Sequence, residues 1–154
     1  VRTTELGDKP ARPASFDITR DAAAFRRLVR TAIFGILQDI AARDWESAAS
    51  RLATGEAGGA VEGAPTSPDA KRLEAAFAPY FDAHGRFRLD PEGRSAKHTH
   101  WTAEPTSAEW TIAQVLIDAD DANDWEATFV VSLAQSRAEN RAALRFESVQ
   151  PIGA

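Results

Sequence analysis

The spacing of the apolar residues changes once along the chain, close to Gly85. Before that glycine, apolar residues recur three and four positions apart, which is the spacing of amphipathic helices. After it, short segments of alternating apolar and polar residues are separated by turn sequences, as in β-strands. Helices followed by an antiparallel meander predict an α+β domain whose N-terminal helices pack on one face of the sheet.

The longest helical pattern is FRRLVRTAIFGILQDIAARDWESAASRL, at residues 25–52. The helical wheel loses its register at Arg43, which falls on the apolar side. We therefore predict a helix that is capped by Thr19 and ends near Ala42, and a second helix capped by Asp44. The apolar face of the first helix consists of Phe25, Leu28, Val29, Ala32, Ile33, Ile36 and Ile40.

The third helix is predicted to begin at Ser67-Pro68, because proline suits the first helical position. Gly85 can end it in the left-handed conformation. The predicted strands occupy residues 86–89, 96–104, 109–118, 125–135 and 141–152, with hairpin loops at 118–124 and 136–140. Residues 53–68 are rich in Gly, Ala and Pro and predict a loop.

The bulk composition limits the domain organisation and the partners. Residues 1–15 read as a linker or flexible arm, and residues 16–154 as a single domain. The net charge of -5 argues against general affinity for nucleic acid, although a local basic patch stays open. Cysteine is absent, which excludes disulfides and thiolate metal sites and is compatible with a cytoplasmic protein. Methionine is also absent, even at position 1, so we expect a fragment of a longer polypeptide.

No catalytic signature is present: the chain has no GxxxxGK[ST], GxGxxG, GxSxG or HExxH. No apolar segment approaches the length of about 18 residues that a membrane span needs. We therefore expect no cofactor, no metal and no membrane contact for this segment.

His98 and His100 are two positions apart, so on a strand they would project to the same side. With Trp101 they form a possible pocket, although solvent-facing positions explain the two histidines as well. A metal site would need a third ligand, and His84 lies at a predicted helix end some distance along the chain. The acidic loop at 118–124 departs from the calcium-binding pattern and predicts a solvated hairpin.

Arg26, Arg27 and Arg30 are grouped near the start of the first helix. Cations oppose the helix dipole there, so the grouping suggests an anionic partner. Nucleic acid, an acidic protein surface and an ordinary solvated face are all compatible with this pattern. We take these three arginines as the predicted contact face.

The order of elements resembles the cone-shaped fold of nuclear transport factor 2 and its relatives. Three segments resemble, more specifically, a family of domains of unknown function at the C-terminus of bacterial DEAD/DEAH-box (superfamily 2) helicases. They are AFRRLVRTAIF, LEAAFAPYFDAHG and WTIAQVLIDADDANDWEATFVVSL. The matching residues are Phe25, Arg26, Val29, Arg30, Ala32, Phe34, Pro79, Tyr80, Phe81, Trp110, Gln114, Asp118, Asp124 and Trp125.

The resemblance implies a non-catalytic accessory domain that docks on the helicase motor, on a partner protein, or on RNA or DNA. ATP and magnesium would then belong to motor domains of the same polypeptide. The alternative is a stand-alone small-molecule-binding protein or enzyme of the nuclear transport factor 2 type. In it, His98 or His100 would act as acid or base with Asp17 or an acidic-loop residue. A homodimer through the outer face of the sheet is a third possibility.

Overall fold

The structure is a computed structural model that describes residues 17–53, 67–103, 107–120 and 122–152. The predicted linker at 1–15 and most of the predicted loop at 53–68 lie outside these residues. The helices are α1 (Ala22–Ala41), α2 (Trp45–Ser50), α3 (Pro68–His84) and α4 (Leu133–Glu139). The strands are β1 (Thr99–Thr102), β2 (Glu109–Leu116), β3 (Trp125–Ser132) and β4 (Leu144–Pro151).

The four strands form one open antiparallel sheet in the order β1-β2-β3-β4. Each strand pairs with its neighbour in the sequence, as a meander requires. The predicted α+β class is therefore confirmed. A bulge between Thr128 and Phe129 shifts the register of β3 against β4, and such bulges increase the local twist of a sheet.

The helix boundaries follow from capping. Asp44 accepts a hydrogen bond from the Ser47 amide and caps α2, as predicted. Ser67 caps α3 in the same way, with Pro68 in the first turn, and Gly85 ends the helix at φ 80°. The predicted cap of α1 was wrong. Asp21, not Thr19, accepts a hydrogen bond from the amide of Ala24 and caps the helix.

The buried faces of α1, α2 and α3 form the core with the inner face of the sheet, and α1 contributes the longest row of buried side chains. Its innermost side chains, including Val29, Ile33 and Ile36, have no exposed surface. On the sheet they meet an inner face that includes Ile112 and Phe129, both also fully buried. Burial of side chains of this size stabilises a domain by roughly 1.5–3 kcal/mol each. The core therefore fixes which side of α1 faces solvent.

Three strand predictions need correction. Residues 86–89 make only a single bridge, between Phe87 and Asp118. Residues Ala96–His98 form a 3-10 turn before β1 begins at Thr99. The predicted strand at 125–135 ends at Ser132, and the predicted loop at 136–140 belongs largely to α4, which Ser132 caps.

Candidate nucleic-acid interface

Arg26 lies on an aromatic surface that the sheet provides. Its guanidinium carbon is 5.1 Å from the centre of the Trp101 ring and 5.6 Å from that of Trp110. The two indoles meet edge to face at 6.1 Å. Cation–π contacts of this kind hold a guanidinium in place while its edge stays in water. Trp101, predicted as part of a pocket, thus supports Arg26.

Arg30 is held by β1 and by the segment that precedes it. Its Nε donates to Thr99 Oγ1 at 3.3 Å, and its Nη2 donates to the carbonyl oxygen of Arg94. The same guanidinium lies 5.2 Å from the centre of the Phe34 ring. Thr99 in turn donates to the buried Gln114 Oε1 at 2.5 Å. This chain of hydrogen bonds fixes the orientation of Arg30 from inside the fold.

Arg27 is different, because its side chain is exposed on the solvent side of α1. Among the described residues, no carboxylate lies within ion-pair distance of Arg26, Arg27 or Arg30. The three predicted contact residues therefore have separate surroundings, and in the described part of the chain none of them pairs with a carboxylate.

A cavity of about 420 Å³ adjoins Arg30 on the outer side of α1. Its wall is mostly polar and consists of Arg30, Thr31, Phe34, Gly35, Gln38, Arg51 and Arg94. Arg51 comes from the end of α2, and Arg94 from the turn before β1. Neither was predicted, because nothing local in the sequence shows that these distant arginines meet Arg30.

The two predicted pocket histidines do not lie on one strand. His98 lies in the 3-10 turn, and its Nε2 is 3.3 Å from Glu92 Oε2. His100 lies on β1 and is exposed. The strand geometry on which the pair was predicted is therefore wrong. The carboxylate beside His98 belongs to Glu92, while Asp17 accepts hydrogen bonds from Thr19.

The structure instead brings His84 to the acidic hairpin. His84 Nε2 is 3.2 Å from Asp124 Oδ1, and Nδ1 is 3.9 Å from Asp118 Oδ2. One ligand atom from each of the three residues lies within 4.8 Å of the others, which is close enough to suit a cation. The side chain of Asp118 already accepts from the amides of Asp120, Ala122 and Asn123. The direct contacts thus fasten the hairpin to the end of α3.

The ionisation of this cluster agrees with a structural role. Burial raises the pKa of Asp118, but the three amide donors and His84 outweigh burial and hold it below the usual 3.8. Burial, followed by the charges of Asp118 and Asp124, raises the pKa of Tyr80. The Tyr80 ring also meets Trp125 edge to face at 5.7 Å. The tyrosine is therefore a neutral core residue.

The chain matches the family described as Domain of unknown function (DUF3516) over residues 2–149. No curated protein and no solved structure shows significant similarity to the chain. No helix among the described residues is long and apolar enough to cross a membrane.

Proposed function

The chain belongs to the DUF3516 family, and on that premise we propose that it is a non-catalytic accessory C-terminal domain of an ATP-dependent DEAD/DEAH-box helicase. Its role is to dock the nucleic acid on which the motor acts, through Arg26, Arg27 and Arg30. ATP and magnesium are bound by motor domains of the same cytoplasmic polypeptide. We include in the proposal the curled sheet of nuclear transport factor 2-like folds, which the bulge at Thr128 and Phe129 supports.

The docking role rests on guanidinium groups, on the outer side of α1, that have no carboxylate partner among the residues the structure describes. Arg30 and Arg94 line one cavity, and no carboxylate of the described residues pairs with either. The chain as a whole has a net charge of -5, so this positively charged patch is opposite in sign to the protein that carries it. Phosphate groups suit it, because guanidinium binds phosphate through paired hydrogen bonds.

The residues that carry the helicase resemblance divide by location. Phe25, Val29, Tyr80, Gln114 and Asp118 are buried and hold the fold together. Arg26 is exposed, and Arg30 and Phe34 are partly exposed beside the cavity. The exposed members of the motif are thus the ones available to a partner.

The test uses the parent polypeptide with Arg26, Arg27 and Arg30 changed to glutamate. Lys71→Glu is the matched control, since Lys71 is exposed on α3. We expect the triple variant to lose affinity for nucleic acid and unwinding rate while its motor retains ATPase activity. A triple variant that binds and unwinds like the control would contradict the docking role. A parent sequence without a Walker motif and a DExD/H box would contradict the helicase assignment.

A further inference from the structure

Two cavities on the surface of α1 adjoin each other, because they share lining residues. The cavity at Arg30 and a second one of about 390 Å³ are both lined by Thr31 and Arg51. The second is further lined by Leu28, Ala32, Ser50, Arg141 and Ala142. We call the two together the α1 groove. Four arginines therefore follow its length, with Arg94 and Arg30 in one section, Arg51 shared, and Arg141 in the other.

Each guanidinium in the groove is anchored through its Nε atom. The acceptors are Thr99 Oγ1 for Arg30 at 3.3 Å, the Leu89 carbonyl for Arg94 at 2.8 Å, Asp39 Oδ2 for Arg51 at 2.6 Å and Glu139 Oε1 for Arg141 at 2.8 Å. Arg30 Nη2 and Arg141 Nη1 also donate, to the carbonyl oxygens of Arg94 and Arg51. This arrangement orients the side chains, and each guanidinium keeps at least one other terminal nitrogen to donate to a ligand. Side chains that are already ordered lose less entropy when they bind.

The groove carries excess positive charge along a line. Arg51 and Arg141 each have one carboxylate partner, while Arg30 and Arg94 have none in the described part of the chain. A ligand that matches this pattern bears several negative charges in a row. A phosphodiester backbone has that property, and a single phosphate would use only one section.

Apolar groups accompany the arginines. Leu28 is one of the two large hydrophobic side chains that are clearly exposed among the described residues, with 40% of its surface accessible. Phe34 is partly exposed in the other section, under the guanidinium of Arg30. Unpaired bases can lie against such groups, whereas bases in a duplex are stacked and covered. A concave groove also admits one strand more readily than the convex surface of a duplex.

We propose that the α1 groove binds one single strand of nucleic acid, with its phosphates on Arg94, Arg30, Arg51 and Arg141 and its bases against Phe34 and Leu28. This inference rests on the proposed docking function. It adds that the ligand is single-stranded and that Arg94, Arg51 and Arg141 also contact it. It also moves the contact face from the exposed Arg27 toward α2 and the turn that carries Arg94.

The experiment measures binding of the 154-residue chain to a fluorescent oligonucleotide as a single strand, in DNA and RNA forms, and to the same sequence as a duplex. Arg51→Gln and Arg94→Gln are compared with Arg86→Gln, which removes an exposed arginine outside the groove. Circular dichroism confirms that each variant is folded. We expect about tenfold weaker single-strand binding for each groove variant, and no change for the control.

The outcomes separate this inference from the function on which it rests. If single strands bind and Arg51→Gln and Arg94→Gln bind them as tightly as Arg86→Gln does, the docking function stands and the groove is overturned. Equal or tighter binding of the duplex overturns the single-strand assignment. If the chain binds neither form, the nucleic-acid function and the groove proposal both fail.

Discussion

The guanidinium of Arg51 lies directly against the backbone of Gly35. A β-carbon at Gly35 would be only 2.9 Å from Arg51 Nη1 and 3.3 Å from its Cζ. Position 35 is in the middle of α1, where glycine is a poor helix former. The absence of a side chain at Gly35 therefore gives Arg51 its place in the groove.

Gly35→Ala should weaken the binding of single strands without lowering the stability of the fold. Alanine favours the helix by up to about 1 kcal/mol, while the end of the flexible Arg51 side chain can move away at little cost. We expect an unchanged or higher melting temperature and weaker binding of single strands. In a double-mutant cycle with Arg51→Gln, the two losses of affinity should be less than additive. Fully additive losses would mean that Gly35 does not act through Arg51.

Asp118 should make stability depend on pH in the acid range. Because its pKa in the folded state is below the usual 3.8, Asp118 stabilises the fold at higher pH. That contribution is lost as the pH falls through the lowered value. Asp118→Asn should cost roughly 1–3 kcal/mol at pH 7. Urea unfolding should show the difference between wild type and variant shrinking below about pH 4, and a constant difference would contradict this.

Ser136, the serine within α4, should be sensitive to the loss of its hydroxyl. It is fully buried, donates to the carbonyl of Ser132 at 2.6 Å and accepts from the amide of Ala143 at 2.9 Å. Ser136→Ala removes the hydroxyl that the buried amide of Ala143 donates to, and it should cost about 1–3 kcal/mol in the free energy of unfolding. Ser50→Ala, at an exposed hydroxyl, should cost less than about 0.5 kcal/mol. Similar values for the two would refute the assignment.

The sequence predicts several helix ends correctly, because capping residues are recognisable from the local sequence. Asp44, Ser67 and Gly85 mark their helix ends in the sequence, and the structure places them there. Helix α4 was missed because its seven residues are too few to show a helical period. Its signals were Ser132 as the cap and Asn140, which ends it in the left-handed conformation at φ 57°. Those two residues were read as parts of a strand and of a loop.

The candidate site was predicted only in part because tertiary contacts create it. Arg30 was chosen from its position at the start of a helix. Arg51 is 21 positions and Arg94 is 64 positions further along the chain. His84 and Asp118 meet for the same reason, since the end of α3 packs against the β2–β3 hairpin. The residue pattern of one segment does not indicate which distant residues it contacts in the folded chain.

The salt dependence of single-strand affinity tests the central claim most directly. Each phosphate that a guanidinium neutralises should contribute a slope of about −0.7 in a plot of log affinity against log salt. We expect a steep slope for the wild-type chain and one that is shallower by about 0.7 for Arg94→Gln. Arg86→Gln should follow the wild type. Binding that is absent at low salt, or equal slopes for the wild type and Arg94→Gln, would contradict the account.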